Sequence, residues 1–215
     1  FTPDTNCLLG EVPEVRNFYV CCGFNSIGIA SAGGAGRVTA EWMMIGHINE
    51  DLYSADIRRF EKFHSSKKFI MERVTETLGD LYGMHWPYKQ HKTSRNQKLL
   101  PYHEKLKKAG ACFGAVAGYE RPMWFARNDA EPKYKYSYNY QNWYPSVEYE
   151  TANTRKNIGL FDLTPFSKFE LKGSKAHVEL QRICTANIKN EKSRTTYTQM
   201  LNKDGGIETD LTVVC

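Results

Sequence analysis

Five glycines fall within the fourteen positions from Gly23 to Gly36, where a strand-like run passes into a helix-like run. Glycine lets the main chain approach a ligand closely, and the first N–H groups of a helix have no partner within it. These unpaired N–H groups make the start of a helix electropositive, which suits the electron-rich N1 and O2 edge of a reduced flavin. The alternative is that the glycines only allow tight packing of helix on sheet. We predict that residues 23–28 meet a ligand and that Gly33, Gly34 and Gly36 serve packing.

Asp210 is a second candidate, because it follows a Gly-Gly pair in a predicted hairpin. A carboxylate there could accept a hydrogen bond from a ligand N–H at the mouth of a pocket. The alternative is an ordinary exposed strand residue, since Glu208 and Asp210 share one face of the strand.

Metal and pyrophosphate sites are not predicted. The glycine-rich turn matches neither G-x-G-x-x-G after a strand nor G-x-x-x-x-G-K-[ST], and the histidines show no H-x-x-x-H spacing. No pair of cysteines forms C-x-x-C, so reduced, mostly buried thiols are expected, which is typical of an intracellular compartment. The cysteines are Cys7, Cys21, Cys22, Cys112, Cys184 and Cys215.

Composition and charge argue against membrane insertion and nucleic-acid binding. No run of about 18 apolar residues is present. The net charge is +5, and most of the basic excess lies between residues 85 and 108, scattered in a segment that resembles no nucleic-acid module. If residues 134–140 are extended, their four tyrosines lie on one side. Packing on a domain surface is favoured there over stacking on bases.

The predicted elements are mixed α/β and α+β. A short strand over 17–22 and a helix over 29–45, ended by Gly46, are followed by a helical pattern over 56–78 that breaks near Ser65 and Ser66. A further helix is predicted to end at Gly110. We therefore predict the end of an α/β unit over 1–46, a mostly helical central domain over 47–125 and an extended linker over 126–145.

Residues 146–215 are predicted to start a new unit. Ser146 is the expected N-cap of a helix from Tyr149 to about Lys156, and Ser174 that of a helix through Cys184. Strands are predicted over 158–163 and 166–173, and a hairpin around residues 203–206. Because the chain begins without a helix cap and stops in a β-rich run, we expect it to be a fragment of a longer polypeptide.

Several segments in this order resemble the sarcosine and dimethylglycine dehydrogenase family of flavoproteins. They are FTPD, NFYVCCGFNSIGIASAGGAG, DLYSADIRRF, YERPMWF, NIGLFDLTPFSKFELKG and YTQMLNKDGGIETDLTV. The resemblance implies that 1–46 is the C-terminal βα piece of an FAD-binding domain, and that 146–215 starts an aminomethyltransferase-like folate domain.

The resemblance also implies a reaction. Members of the family oxidise an N-methyl group of an amino acid, pass a hydride to FAD and transfer the one-carbon unit to tetrahydrofolate. In the mitochondrial matrix, electron-transfer flavoprotein is the acceptor. The choice between sarcosine and dimethylglycine stays open, because the substrate contacts and the flavin-linking histidine are expected outside this chain. The chain alone is therefore expected to lack dehydrogenase activity and to bind FAD poorly.

Site residues follow from the matching motifs. No catalytic residue is expected within the chain, and the residues that match those near the flavin are Pro3, Asp4, Gly23, Phe24, Asn25, Ser26, Ile27 and Gly28. Those that match the folate pocket are Tyr197, Met200, Leu201 and Asp210. A non-enzymatic alternative is the regulatory subunit of pyruvate dehydrogenase phosphatase, which has the same domain layout and would act by binding a partner.

Overall fold

The computed structural model describes residues 1–48, 50–189 and 191–215. Its elements fall into two compact units, residues 1–165 and residues 166–215. Both units contain helices and strands, so the predicted mixture of helix and sheet is confirmed. Within the described ranges, every helix is too short or too polar to span a bilayer.

A two-stranded hairpin and a long helix open the first unit. β1 (Leu8–Glu11) pairs antiparallel with β2 (Tyr19–Cys22), and α1 (Gly28–Ile45) follows the turn after β2. The indole of Trp42 lies against Gly10, where a Cβ would come within 2.3 Å of the ring. The predicted strand and helix are confirmed, and the helix packs on the hairpin through this close contact.

The ends and faces of α1 separate the two predicted uses of glycine. Gly46 ends the helix in the left-handed conformation, with φ of 85°, as predicted. The packing prediction for Gly33, Gly34 and Gly36 is wrong, because all three are exposed and a Cβ at each would meet nothing within 4 Å. The buried side of α1 carries Ala35, Val38, Thr39 and Trp42 instead.

Two short 3-10 turns, residues 57–59 and 62–65, precede α2 (Lys67–Asp80). The side chain of Ser66 accepts a hydrogen bond from the backbone N–H of Phe69 at 3.2 Å. Ser66 is therefore the N-cap of α2. The break predicted near Ser65 and Ser66 is confirmed as a helix start.

A three-stranded sheet lies in the segment that was predicted to be mostly helical. β5 (Tyr119–Phe125) is its central strand, with β3 (Lys98–Leu99) parallel on one side and β4 (Ala111–Val116) antiparallel on the other. The mostly helical prediction is thus wrong for residues 98–125. Only the short α3 (His103–Lys108) is helical there, and it ends before Gly110 as predicted.

An ion pair between half-buried Arg95 and buried Glu120 ties the loop before β3 to this sheet. Arg95 Nε donates to Glu120 Oε1 at 2.8 Å and Nη2 donates to Oε2, while the N–H of Asn96 donates to Oε1 at 2.8 Å. Burial disfavours the charged form of Glu120, but the hydrogen bonds from Arg95 and Asn96 outweigh it and lower the pKa of the carboxyl.

Three of the four tyrosines of residues 134–140 contact the rest of the first unit, as predicted, whereas Tyr140 is exposed. The Tyr136 hydroxyl accepts from the N–H of Gln90 at 2.8 Å, and the Tyr138 hydroxyl donates to the carbonyl of His85 at 3.2 Å. Tyr134 meets Trp124 edge to face, with ring centroids 6.2 Å apart. These contacts fasten an irregular segment to the surface beside β5.

α4 (Tyr144–Lys156) starts earlier than predicted. Ser146 lies inside its first turn and is not the N-cap, because Pro145 occupies the first turn, where its missing N–H costs nothing. The strands predicted over 158–163 and 166–173 are also wrong, since neither segment belongs to a strand of the structure. Alternating apolar residues become a strand only when a neighbour completes the ladder.

The second unit consists of α5 (Ala176–Ile183) and a hairpin of β6 (Thr195–Leu201) with β7 (Ile207–Val214). The predicted hairpin is confirmed. Ser174 does not cap α5, because Lys175 holds the N-cap position and no side chain caps the helix. Ile188 and Thr198, each 1% exposed, form the centre of this small unit.

All six cysteines are free thiols, but the prediction that most are buried is wrong. Only Cys112 and Cys184 are buried, while Cys21, Cys22 and Cys215 are exposed. Burial raises the pKa of Cys112 to about 11, so this thiol is inert at neutral pH.

Candidate cofactor and ligand sites

The first half of the predicted flavin turn, Gly23 to Asn25, belongs to the core of the first unit. Asn25 is 6% exposed and adopts φ of 47°. Its Oδ1 accepts from the N–H of Thr2 at 2.9 Å, and its Nδ2 donates to Thr2 Oγ1 at 2.9 Å and to the carbonyl of Gly23 at 2.6 Å. Phe24 packs against the buried cluster that contains Leu9. These residues hold the turn in place rather than facing solvent.

The second half of the turn, residues 26–28, is more open to solvent, although the N–H of Ile27 donates to the carbonyl of Phe24 at 2.9 Å. Ser26 and Ile27 are exposed, and Ile29 in the first turn of α1 is fully exposed. No side chain caps the start of α1, and its first turn carries no acidic residue. The positive end of an 18-residue helix is therefore available at Ser26–Gly28 for an electron-rich ligand edge.

Pro3 and Asp4 line a cavity of about 210 Å³ within the first unit. Asp4 pairs there with Arg59, whose Nε lies 2.7 Å from Asp4 Oδ2. The other lining residues are Tyr53, Phe60, His64, Phe69, Arg73 and His91. The sequence analysis missed this pocket, because its walls come from several separate segments and no spacing along the chain links them.

The imidazoles of this pocket are neutral at pH 7. Burial lowers the pKa of His64, and its Nδ1 accepts a hydrogen bond from the N–H of Glu61 at 2.9 Å. Burial, followed by the charge of Arg73, lowers the pKa of His91. The fixed charges of the lining are therefore those of Asp4, Arg59 and Arg73.

Glu76, Asp80 and His91 have potential metal-ligand atoms within 4.8 Å of one another. Both carboxylates already have partners, however. Lys89 Nζ lies 2.6 Å from Asp80 Oδ1, and Glu76 accepts from the backbone N–H groups of Lys92 and Thr93. We therefore assign no metal ion to this group.

The predicted folate residues lie on the hairpin of the second unit, where two of them meet. The Tyr197 hydroxyl donates to Asp210 Oδ2 at 3.1 Å, and both side chains are exposed. Leu201 is also exposed, whereas Met200 is half-buried and its backbone pairs antiparallel with that of Cys184 in an isolated β-bridge. The arrangement offers one oriented carboxylate on an open face of the hairpin.

Comparison with protein families supplies the context for these sites. Residues 46–99 match the model of the FAD dependent oxidoreductase central domain, and residues 102–215, just over half of the chain, match that of the GCVT N-terminal domain. The chain belongs to the sarcosine and dimethylglycine dehydrogenase family. The domain boundaries predicted at residues 126 and 146 fall within the second match and remain predictions.

Curated members and relatives of this family align with almost the whole chain. It is 42% identical to 4-methylaminobutanoate oxidase (formaldehyde-forming) of Paenarthrobacter nicotinovorans over 99% of the chain and 26% of the relative. Mitochondrial sarcosine dehydrogenase of Mus musculus is 33% identical over 99% of the chain and 26% of that protein. The mitochondrial pyruvate dehydrogenase phosphatase regulatory subunit of Mus musculus is 31% identical over 99% and 25%. The chain thus spans about a quarter of the length of these relatives.

Proposed function

We propose that this chain forms part of a flavoprotein that uses FAD to oxidise the N-methyl group of a small amino acid. The observation that carries the proposal is the bare, uncapped start of α1 at Ser26–Gly28, in a chain of this family. The 42% identity to a protein named as a methylaminobutanoate oxidase supports the same reaction. Sarcosine, dimethylglycine and 4-methylaminobutanoate are the substrates to compare.

Bound FAD would accept the hydride that leaves the N-methyl carbon, and the substrate would become an iminium. In this proposal the N–H groups at the start of α1 stabilise negative charge at the flavin edge. Thr2 and Asn25 keep the turn fixed, so those N–H groups need no reorganisation. Pro3 and Asp4 lie next to Thr2 in sequence and would adjoin the same edge.

The second unit is proposed to handle the one-carbon unit. Asp210 would accept a hydrogen bond from an N–H of tetrahydrofolate, and Tyr197 would orient that carboxylate through the hydrogen bond they already share. Met200 and Leu201 would supply apolar contacts. The match to the GCVT N-terminal domain supports this assignment.

Electron-transfer flavoprotein as the electron acceptor and the mitochondrial matrix as the location are proposals of the same kind. Two of the relatives named above are mitochondrial proteins, which supports the matrix, whereas the 42% identical relative is bacterial. The alternative function, a regulatory subunit of pyruvate dehydrogenase phosphatase, is supported by the 31% identity to such a subunit.

Anaerobic stopped-flow absorbance of the full-length gene product tests the proposal. We expect the oxidised flavin band to bleach on mixing with at least one of sarcosine, dimethylglycine or 4-methylaminobutanoate. A gene product that binds no flavin, or a flavin that none of the three amines reduces, would refute the enzyme. A change in pyruvate dehydrogenase phosphatase activity on adding the protein would then favour the regulatory alternative.

A further inference from the structure

The cavity beside Arg59 and Arg73 has two unlike cationic walls. On one wall, Arg59 donates from Nε to Asp4 Oδ2 at 2.7 Å and from Nη2 to Asp4 Oδ1 at 3.0 Å. Its Nη1 donates to the carbonyl of Asp56 at 3.0 Å. Each nitrogen of this guanidinium therefore has an acceptor, and the charge of Asp4 cancels that of Arg59.

Arg73 forms the other wall, and some of its N–H groups have no acceptor among the described residues. Its side chain is only 11% exposed, and Nη2 alone donates, to the carbonyls of Thr93 at 2.6 Å and Ser94 at 3.4 Å. Nε is buried without a hydrogen bond to any described residue, and no described residue accepts from Nη1. A buried cation with unused N–H groups is costly unless a ligand or water accepts from them.

Glu76 balances Arg73 only in part. The Glu76 carboxylate lies 4.0 Å from Arg73 Nε, which is beyond hydrogen-bond distance. Its oxygens instead accept from the N–H of Lys92 at 2.7 Å and from the N–H and hydroxyl of Thr93. Among the charged groups of the lining, Arg73 is thus the one whose own hydrogen bonds to a carboxylate are missing.

We propose that this cavity binds a small carboxylate, which accepts hydrogen bonds from Arg73. A guanidinium matches a carboxylate in charge and in planar geometry. The volume of about 210 Å³ suits a ligand of a few heavy atoms, and Phe60 and Phe69 offer apolar walls to a short aliphatic body. The ligand is either a plain carboxylate or the acid end of an N-methyl amino acid. Only the second identity rests on the proposed function.

Titration of the ¹⁵N-labelled chain by NMR tests the site directly through the Arg73 Nε–H signal. We expect saturable shifts with sodium acetate and with sarcosine, with dissociation constants on the order of 1–10 mM. Tighter binding of sarcosine than of acetate identifies the N-methyl amino acid, and equal binding identifies a plain carboxylate site. Equal shifts with sodium chloride or methylammonium chloride, or no saturable shift, overturn the proposal.

Three variants tie the binding to Arg73, and their acetate affinities are measured from the backbone amide signals of the residues that line the cavity. Arg73→Gln removes the charge and should weaken acetate binding about tenfold or more, the loss expected for a charged hydrogen bond. Arg73→Lys keeps the charge without the planar donors and should bind with intermediate affinity. Arg37→Gln removes an exposed arginine of α1 and should change nothing.

Unchanged affinity in Arg73→Lys overturns the proposal even if Arg73→Gln fails to fold. The outcome is separable from that of the proposed function. If the full-length gene product binds acetate but its flavin is not reduced, the proposed enzyme activity is refuted and the proposed carboxylate site stands. Flavin reduction without carboxylate binding does the reverse.

Discussion

Thr2 and Asn25 hydrogen-bond each other in both directions, N–H to Oδ1 and Nδ2 to Oγ1, each at 2.9 Å. Both residues are buried, so the segment that precedes β1 is fixed to the turn that precedes α1. This reciprocal pair sets the path of the main chain on which the flavin proposal depends. Loss of this pair should therefore lower the free energy of unfolding, and any effect on flavin reduction should follow from the displaced turn.

Replacement of Asn25 by Gly isolates that contribution. Glycine accepts φ of 47° without strain, so the main effect is loss of the side-chain hydrogen bonds. We expect the free energy of unfolding to fall by about 1–3 kcal/mol, because the buried N–H of Thr2 is left unpaired while its hydroxyl keeps only the bond to the carbonyl of Asn6. Urea unfolding of the parent, Asn25→Gly and the control Asn17→Gly, an exposed residue with φ of 61°, measures it. Equal losses in the two variants would contradict the role of the pair.

A carboxylate placed at Ile29 should stabilise the flavin-free protein and should make the bound flavin harder to reduce. Ile29→Asp adds negative charge to the first turn of α1, which carries none, so the melting temperature without flavin should rise. In the flavin-bound gene product the same charge should lower the reduction potential, because it repels the reduced ring. Ile29→Asn controls for the change of shape, and a potential equal in both variants would place the flavin elsewhere.

Asp210 and Glu208 form a matched pair for testing the folate site. Both are exposed acids on β7, but only Asp210 pairs with Tyr197. Asp210→Asn in the full-length gene product should slow one-carbon transfer about tenfold or more while flavin reduction by substrate is unchanged. Glu208→Gln should alter neither rate. Product analysis for methylenetetrahydrofolate against free formaldehyde distinguishes the outcomes, and identical behaviour of the two variants would remove Asp210 from the site.

The Arg95–Glu120 pair should make the first unit sensitive to acid. Because the pKa of Glu120 is lowered in the folded state, its stabilising contribution is complete above the ordinary glutamate pKa of about 4.3. It is lost as pH falls through the folded pKa. Glu120→Gln should cost about 3 kcal/mol at pH 7, the low end of the range for buried pairs, since it leaves the half-buried Arg95 without a counter-charge.

Unfolding midpoints from pH 7 down to pH 3 check this prediction. The parent should lose stability below about pH 4.3, and the variant should lose less over the same range. Glu131→Gln, at an exposed pair with Lys133, is the control and should leave the midpoint unchanged. Parallel pH profiles for the parent and Glu120→Gln would show that the pair contributes nothing to acid sensitivity.

Local signals explain which elements the sequence predicts well. Gly46 ends α1, Ser66 starts α2, and the Gly-Gly turn forms the β6–β7 hairpin, because each depends on a few neighbouring residues. Pro145 was an equally local signal for the start of α4, and the preference for Ser146 overlooked it.

Non-local pairing explains what the sequence analysis missed. β5 contains Pro122, which argues against a strand, yet the structure accommodates it opposite Phe113 beside a register shift. β3 consists of only two residues, and no local sequence pattern predicts that they pair with β5. The cavity beside Arg73 has the same origin, since its walls meet only after the chain has folded. For the flavin turn, the residue types indicated bare main chain but not that Asn25 points inward.

Every tryptophan of the chain, Trp42, Trp86, Trp124 and Trp143, lies in residues 1–165. Trp42 is held against Gly10 with the guanidinium of Arg58 5.2 Å from its ring centre. Its fluorescence should therefore move to longer wavelength as soon as α1 separates from the β1–β2 hairpin. Indole emission consequently follows the first unit alone, and far-ultraviolet circular dichroism adds the melting of the second. The difference between the two melting curves measures how independently the two units unfold.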